Sequence, residues 1–186
     1  YEKVVPEDES QYTGRIDVYA SEKDITEFYS NKYMKVDKIT CYNEDNAEYF
    51  APPLYANEFI IIHCLSNPKQ TALGRFDGKK IVSLCFKDST PLGIVPRNVG
   101  QKFMLEALLT DAEKAPLVII KGPAGTAKTL FSLAVGLHSI MEEDKGKYRK
   151  MLVCRPNVTM DEDIGFLPGT EQEKISPFMR PILDNL

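Results

Sequence analysis

The feature that most constrains this chain is the run Gly122-Pro123-Ala124-Gly125-Thr126-Ala127-Lys128-Thr129. An apolar segment, Leu117-Val118-Ile119-Ile120, stands before it. After it, Leu130, Leu133, Ala134, Leu137, Ile140 and Met141 recur at helical spacing. Strand, glycine loop and helix in that order form the context that a phosphate-binding loop requires. A polyphosphate needs many donors in a small space. Glycines let backbone N–H groups turn inward, and the following helix adds its positive N-terminal end.

Read this way, the whole run from Gly122 to Thr129 is a nucleotide-binding loop of the Walker A kind. The N–H groups of Gly125, Thr126, Ala127 and Lys128 cradle a β-phosphate. The Lys128 ammonium reaches the β- and γ-phosphates, and the Thr129 hydroxyl takes one position on octahedral Mg²⁺. Lys128 and Thr129 are therefore the candidate catalytic residues, and Thr129 is the candidate magnesium ligand. The ligand class is a nucleoside triphosphate with magnesium. The usual pattern, G-x-x-x-x-G-K-[ST], has a second glycine where this chain has Ala127. Alanine is strained at positive φ and comfortable at helical φ. The expectation is a helical φ, with Ala127 helping to start the helix. The competing reading of the run is a helix start with no ligand.

Composition narrows the class. The 186 residues carry 23 basic and 27 acidic side chains, net −4, with 43% hydrophobic residues. That is the profile of a globular chain. No apolar run approaches the ~20 residues that span a bilayer, and the acidic start has no signal-peptide character. The acid excess lies in residues 1–95, with 11 basic and 15 acidic residues, against 12 of each in 96–186. Neither half has the basic surplus of a dedicated nucleic-acid-binding domain. Cys41, Cys64, Cys85 and Cys154 form no C-x-x-C pair, so they read as reduced thiols of a cytoplasmic protein.

Two units are expected. Residues 1–95 read as a small β-rich module with one short helix. Ser21-Glu22-Lys23-Asp24 is a capping box for a helix over about 22–30. Residues 58–64 read as a strand. Asp77-Gly78 between two apolar runs predicts a hairpin with a type I′ turn, and residues 41–52 read as loop. Pro91 and Pro96 mark the boundary. Beyond it the pattern predicts a helix over about 99–110, a strand at about 116–120, a helix over about 128–143 and a strand at about 149–154. That order implies an α/β fold with a parallel sheet and right-handed crossovers. Two strands do not complete such a sheet, and there is no leading Met. The chain therefore reads as a fragment that stops partway through an ATPase domain. No second apolar strand ends in Asp, and Asp161, Glu162, Asp163 and Asp184 are poorly placed for the hydrolytic acid.

The stretch from Ile94 to Leu186 resembles the PhoH family of P-loop ATPases. Three segments carry the resemblance: Pro96-Arg97-Asn98-Val99-Gly100-Gln101, the glycine loop, and a long tail pattern. The tail runs through Arg155-Pro156-Asn157-Val158, Gly165-Phe166-Leu167-Pro168-Gly169, Glu173-Lys174, Pro177-Phe178, Pro181 and Asp184. The first half is similar to the connector of PhoH-like proteins that carry an upstream PIN nuclease domain. Asn57-Glu58-Phe59, Asn67-Pro68-Lys69 and the run from Ala72 to Gly78 carry that likeness.

The resemblance implies a RecA-like P-loop NTPase core, incomplete in this chain, over residues 96–186. It implies ATP and Mg²⁺ as ligands, and ATP hydrolysis coupled to RNA remodelling or unwinding in the whole protein. It also implies an upstream PIN domain and a homo-oligomer, with a ring as one form. Gln101 is placed to read adenine through its amide, the alternative being an ordinary polar residue at a helix start. Arg155 is placed to contact phosphate or RNA, the alternative being a buried ion pair. Phe166 and Phe178 are candidates for base stacking or for packing. Thr170 stands where many relatives have aspartate. A second function class stays open: a non-catalytic nucleotide-sensing or assembly module, in which ATP orders a subunit interface without hydrolysis.

Overall fold

The computed structural model describes residues 12–42, 49–50, 53–141 and 148–154, without the side chains of Tyr42, Tyr49 and Phe50. Arg155 and the tail pattern that follows it lie outside the described residues. The chain divides into two compact units, Tyr1–Cys85 and Phe86–Leu186.

In the first unit the elements run β1 (Arg15–Ala20), α1 (Glu22–Asn31), β2 (Tyr33–Met34), β3 (Cys41–Tyr42), β4 (Tyr49–Phe50), β5 (Phe59–Cys64), β6 (Thr71–Phe76) and β7 (Ile81–Ser83). Five strands make one sheet in the order β1-β5-β6-β7-β2, and β3 pairs with β4 separately. β1 and β5 are parallel, and the other neighbours in the five-stranded sheet are antiparallel. A parallel pair needs a crossover, and α1 lies within it. α1 begins where the capping box places it: Ser21 Oγ accepts from the Asp24 N–H at 3.1 Å. It ends at Lys32, which takes a left-handed conformation with φ 63°.

Period-2 alternation sets the core. Val18, Ala20, Ile60, Ile62, Cys64 and Ala72 are buried, and Ile25 and Phe28 of α1 join their cluster. Full burial of side chains such as Ile25 and Phe28 stabilises by about 1.5–3 kcal/mol each. Gly74 permits the close approach of the Ile81 side chain from β7. A Cβ there would meet Phe28 Cζ at 3.5 Å and Ile81 Cγ2 at 2.6 Å.

Two expectations for this unit need correction. The β6–β7 connection is not a type I′ turn on Asp77 and Gly78. Phe76 pairs with Ile81, and the Asp77 N–H donates to Lys80 O at 3.0 Å, so the turn centres on Gly78 and Lys79; among Asp77 and Gly78 only Gly78 has positive φ, at 98°. Asp77 organises the turn through its side chain, accepting from the N–H groups of Lys79 and Lys80, both at 2.9 Å. That Asx-type arrangement braces a turn shifted by one residue from the one the dipeptide suggested. The stretch 41–52 also holds the short pair β3 and β4, where loop was expected.

The second unit contains α2 (Val99–Leu109) and α3 (Lys128–Met141). Met104, Leu105, Phe131 and Val135 form its core, with Ile94, Leu108, Leu109, Ile120 and Ala127 packed against it. A single turn of tighter helix at Pro91–Gly93 precedes α2. The strands expected at 116–120 and 149–154 are absent: both segments are irregular among the described residues. A strand exists only where a neighbour takes its N–H and C=O groups, and no described residue pairs with either segment. The apolar pattern survives without the ladder. Ile120 packs on the helices, while Leu117 and Ile119 are 77% and 75% exposed. Met151 sits against α3 at Gly136, where a Cβ would collide with its sulfur.

Candidate functional site

The glycine run forms a turn at Ala124 and Gly125, with Gly125 at φ 77°, and opens into α3 at Lys128. The expected helical φ at Ala127 is overturned: Ala127 has φ 64°, in the left-handed region. An L-residue there bears a cost of roughly 1–2 kcal/mol. Such a conformation persists only where its surroundings over-determine it. Two contacts do so. The Ala127 carbonyl accepts the Phe131 N–H at 3.0 Å, and Ala127 packs on the core cluster of the unit.

The bond from Phe131 to Ala127 is the first inside α3. The N–H groups of Lys128, Thr129 and Leu130 therefore precede the helix's own hydrogen-bond ladder. They stand at the positive end of a helix that runs from Lys128 to Met141. A depression of about 400 Å³ lies there, lined by Ala124, Gly125, Thr126, Ala127, Lys128, Thr129 and Leu130. Among the described residues no acidic side chain lines it.

The Lys128 side chain folds back across the loop. Its ammonium donates to Gly122 O at 2.9 Å, to Pro123 O at 2.6 Å and to Thr126 Oγ1 at 3.2 Å. Thr126 Oγ1 in turn donates to Pro123 O at 2.9 Å. A cation, helix-start amides and an exposed Thr129 thus meet at one hollow. This donor set suits a polyanion, and Thr129 supplies a hard oxygen of the kind Mg²⁺ takes. Residues 122–129 are brought together as one site. The Thr126 hydroxyl was missed in the sequence, where this residue counted only for its backbone N–H. Nothing in the spacing reveals that its side chain meets the lysine.

Gln101 occupies the third position of α2. Its N–H donates to Asn98 Oδ1 at 2.9 Å, and its Oε1 accepts from the Arg97 N–H at 2.7 Å. This is a reciprocal cap of the capping-box kind, which leaves the amide NH₂ to meet other groups. Glu106 is a second residue that sequence reading passed over. It is 1% exposed, and its Oε2 accepts from the Phe86 N–H at 2.7 Å. Its place among apolar neighbours on α2 gave no sign of a buried carboxylate.

A glycine loop that empties into a helix N-terminus, with a lysine in the first turn, has the layout of a P-loop on a mixed α/β chain, entered here from an irregular segment and not from a strand. Comparison with known proteins specifies the family. The model of the PhoH family, described as PhoH-like protein, matches residues 93–186. Protein PhoH2 of Bacillus subtilis (strain 168) is 38% identical over 187 residues, covering 100% of this chain and 39% of that protein. Protein PhoH2 of Mycolicibacterium smegmatis is 35% identical over 62% of this chain and 26% of its own length. Protein PhoH of Escherichia coli (strain K12) is 33% identical over 62% of this chain and 31% of its own length. No solved structure matches significantly. The chain belongs to the PhoH-like protein family. It spans about two fifths of the Bacillus PhoH2 and less of the other two.

Proposed function

We propose that this chain binds ATP with Mg²⁺ at the glycine loop, and that in the whole protein ATP hydrolysis drives RNA remodelling or unwinding. The observation that carries the reading is the convergence of the Lys128 ammonium and the first amides of α3 on one depression. Membership of the PhoH-like family supports it.

The bound nucleotide supplies a transferable γ-phosphoryl group and the charge that holds it in place. The chain's own residues bind and orient. The amides of Gly125, Thr126, Ala127 and Lys128 donate to the polyphosphate, with Gly122, Pro123 and Ala124 shaping the loop's entry. Lys128 exchanges its loop carbonyls for phosphate oxygens, and the Thr129 hydroxyl meets the metal. Gln101 reads the adenine edge through its amide, and Arg155 contacts phosphate or RNA. In the same proposal the whole protein is cytoplasmic, carries a PIN domain upstream and assembles as a homo-oligomer, a ring being the closed form.

The test is a titration with a fluorescent ATP analogue and Mg²⁺, comparing the chain with Lys128→Ala. Binding that is lost in the variant supports the assignment, and equal affinity rejects it. One observation favours a second reading, a nucleotide-sensing or assembly module without turnover: among the described residues no acidic side chain lines the depression. ATPase assays on the longer protein, with and without RNA, separate the two. ATP-dependent assembly without turnover selects the second.

A further inference from the structure

We infer that Thr126 is a positioning residue that latches the Lys128 ammonium to the loop backbone, and that an incoming anion must displace this latch. An ammonium has three protons. In this loop it meets three acceptors: Gly122 O, Pro123 O and Thr126 Oγ1. Two of these are carbonyls that cannot be removed by substitution. The third is a hydroxyl that both accepts from Lys128 and donates to Pro123 O. Thr126 therefore couples the cation to the loop backbone it closes. It does so from the residue preceding Ala127, whose left-handed conformation sets where the lysine begins. Hydrogen bonds with an ionised partner are among the stronger ones. The latch holds the ammonium on the carbonyls of Gly122 and Pro123.

The consequence for ligand entry rests on the nucleotide reading given above, since an incoming phosphate must take over the protons that Thr126 and the two carbonyls hold. The latch itself is a property of the loop's own hydrogen bonds, so the two ideas fail separately. The measurement is acylation of individual lysines by a succinimidyl ester, followed by peptide mass spectrometry. Lys121, exposed just before the loop, is the internal reference. Thr126→Val removes the hydroxyl at nearly constant volume, and Thr126→Ser keeps it.

The expected result is that Lys128 reacts more slowly than Lys121 in the parent chain. It then reacts about two- to tenfold faster in T126V, the range that one net hydrogen bond supplies, and returns to the parent rate in T126S. An unchanged rate in T126V, or a T126S chain as reactive as T126V, overturns the latch. Should valine unfold the second unit, which loss of the helical circular-dichroism signal of α2 and α3 would reveal, Thr126→Ala takes its place with the same expected outcomes. A parallel titration with Mg–ATP bears only on the nucleotide reading. If no variant binds it, that reading falls and the acylation rates still decide the latch.

Discussion

Ala127 stands in a left-handed conformation while its carbonyl accepts the first helical hydrogen bond of α3, from Phe131 at 3.0 Å. The residue that the usual loop pattern gives to glycine is here strained, capping and packed at once. Replacing it by glycine tests the balance. Ala127→Gly relieves a strain of roughly 1–2 kcal/mol and forfeits one partly buried methyl, at most about 0.8 kcal/mol. The variant is expected to raise the thermal midpoint. A lower midpoint would show that packing against Phe131 outweighs the backbone strain.

Gly74 carries the opposite expectation. A methyl there meets Ile81 Cγ2 at 2.6 Å and the Val82 carbonyl oxygen at 3.2 Å. Neither yields freely, since one belongs to a β-branched side chain and the other to the ladder. Gly74→Ala is expected to destabilise the first unit by about 1–3 kcal/mol, as overpacking does. Denaturant unfolding measures it, and an unchanged midpoint would mean that β7 shifts without cost.

Glu106 is buried and accepts the Phe86 N–H. Glu106→Ala leaves that amide without this acceptor, and the expected loss is about 1–3 kcal/mol. Glu106→Gln keeps an acceptor and is expected to lose less. Equal losses in the two variants would place the importance of Glu106 in its charge.

Asp24 gives a pH prediction. The Ser21 hydroxyl hydrogen bond holds its carboxyl below the ordinary value; burial opposes it, and the Lys38 ammonium adds to the lowering. A depressed folded pKa contributes stability above the unfolded value and loses it as pH falls through the folded one. Stability of the parent chain should therefore decline below about pH 4, near the unperturbed carboxylate value, and Asp24→Asn should flatten part of that decline. Parallel pH curves for parent and variant would remove Asp24 from the account.

The thiols sort by access. Burial pushes the Cys41 thiol up, with the nearby Asp17 charge adding to it. Hydrogen bonding from Ser66 lowers Cys64, yet that residue is only 2% exposed. Cys85 and Cys154 are exposed. A thiol reagent should label those two in the native chain and all four in denaturant. Rapid native labelling of Cys41 would contradict the packing of β3.

The local signals were legible wherever a short-range rule decides. Ser21 and Asp24 announce the start of α1, and the spacing of Leu133, Ala134 and Leu137 announces α3. The glycine run announces its own loop. What failed had a longer reach. Leu117 to Ile120 has the composition of a strand, but composition does not supply a neighbour to hydrogen-bond with. Asp77-Gly78 fits a backbone turn, but the turn forms one residue later, braced by the Asp77 carboxylate on the amides of Lys79 and Lys80.

The sequence by itself determined that residues 122–129 form a glycine loop at a helix start, and that the chain resembles PhoH proteins, because both rest on residue type and spacing. Only the tertiary structure decided the state of that loop. Ala127 is held left-handed because Phe131 and the cluster on α2 and α3 bind it there, and Lys128 turns inward because the loop carbonyls and the Thr126 hydroxyl converge on its ammonium. Backbone sign and side-chain direction depend on contacts between segments, and those contacts exist only once the chain has folded.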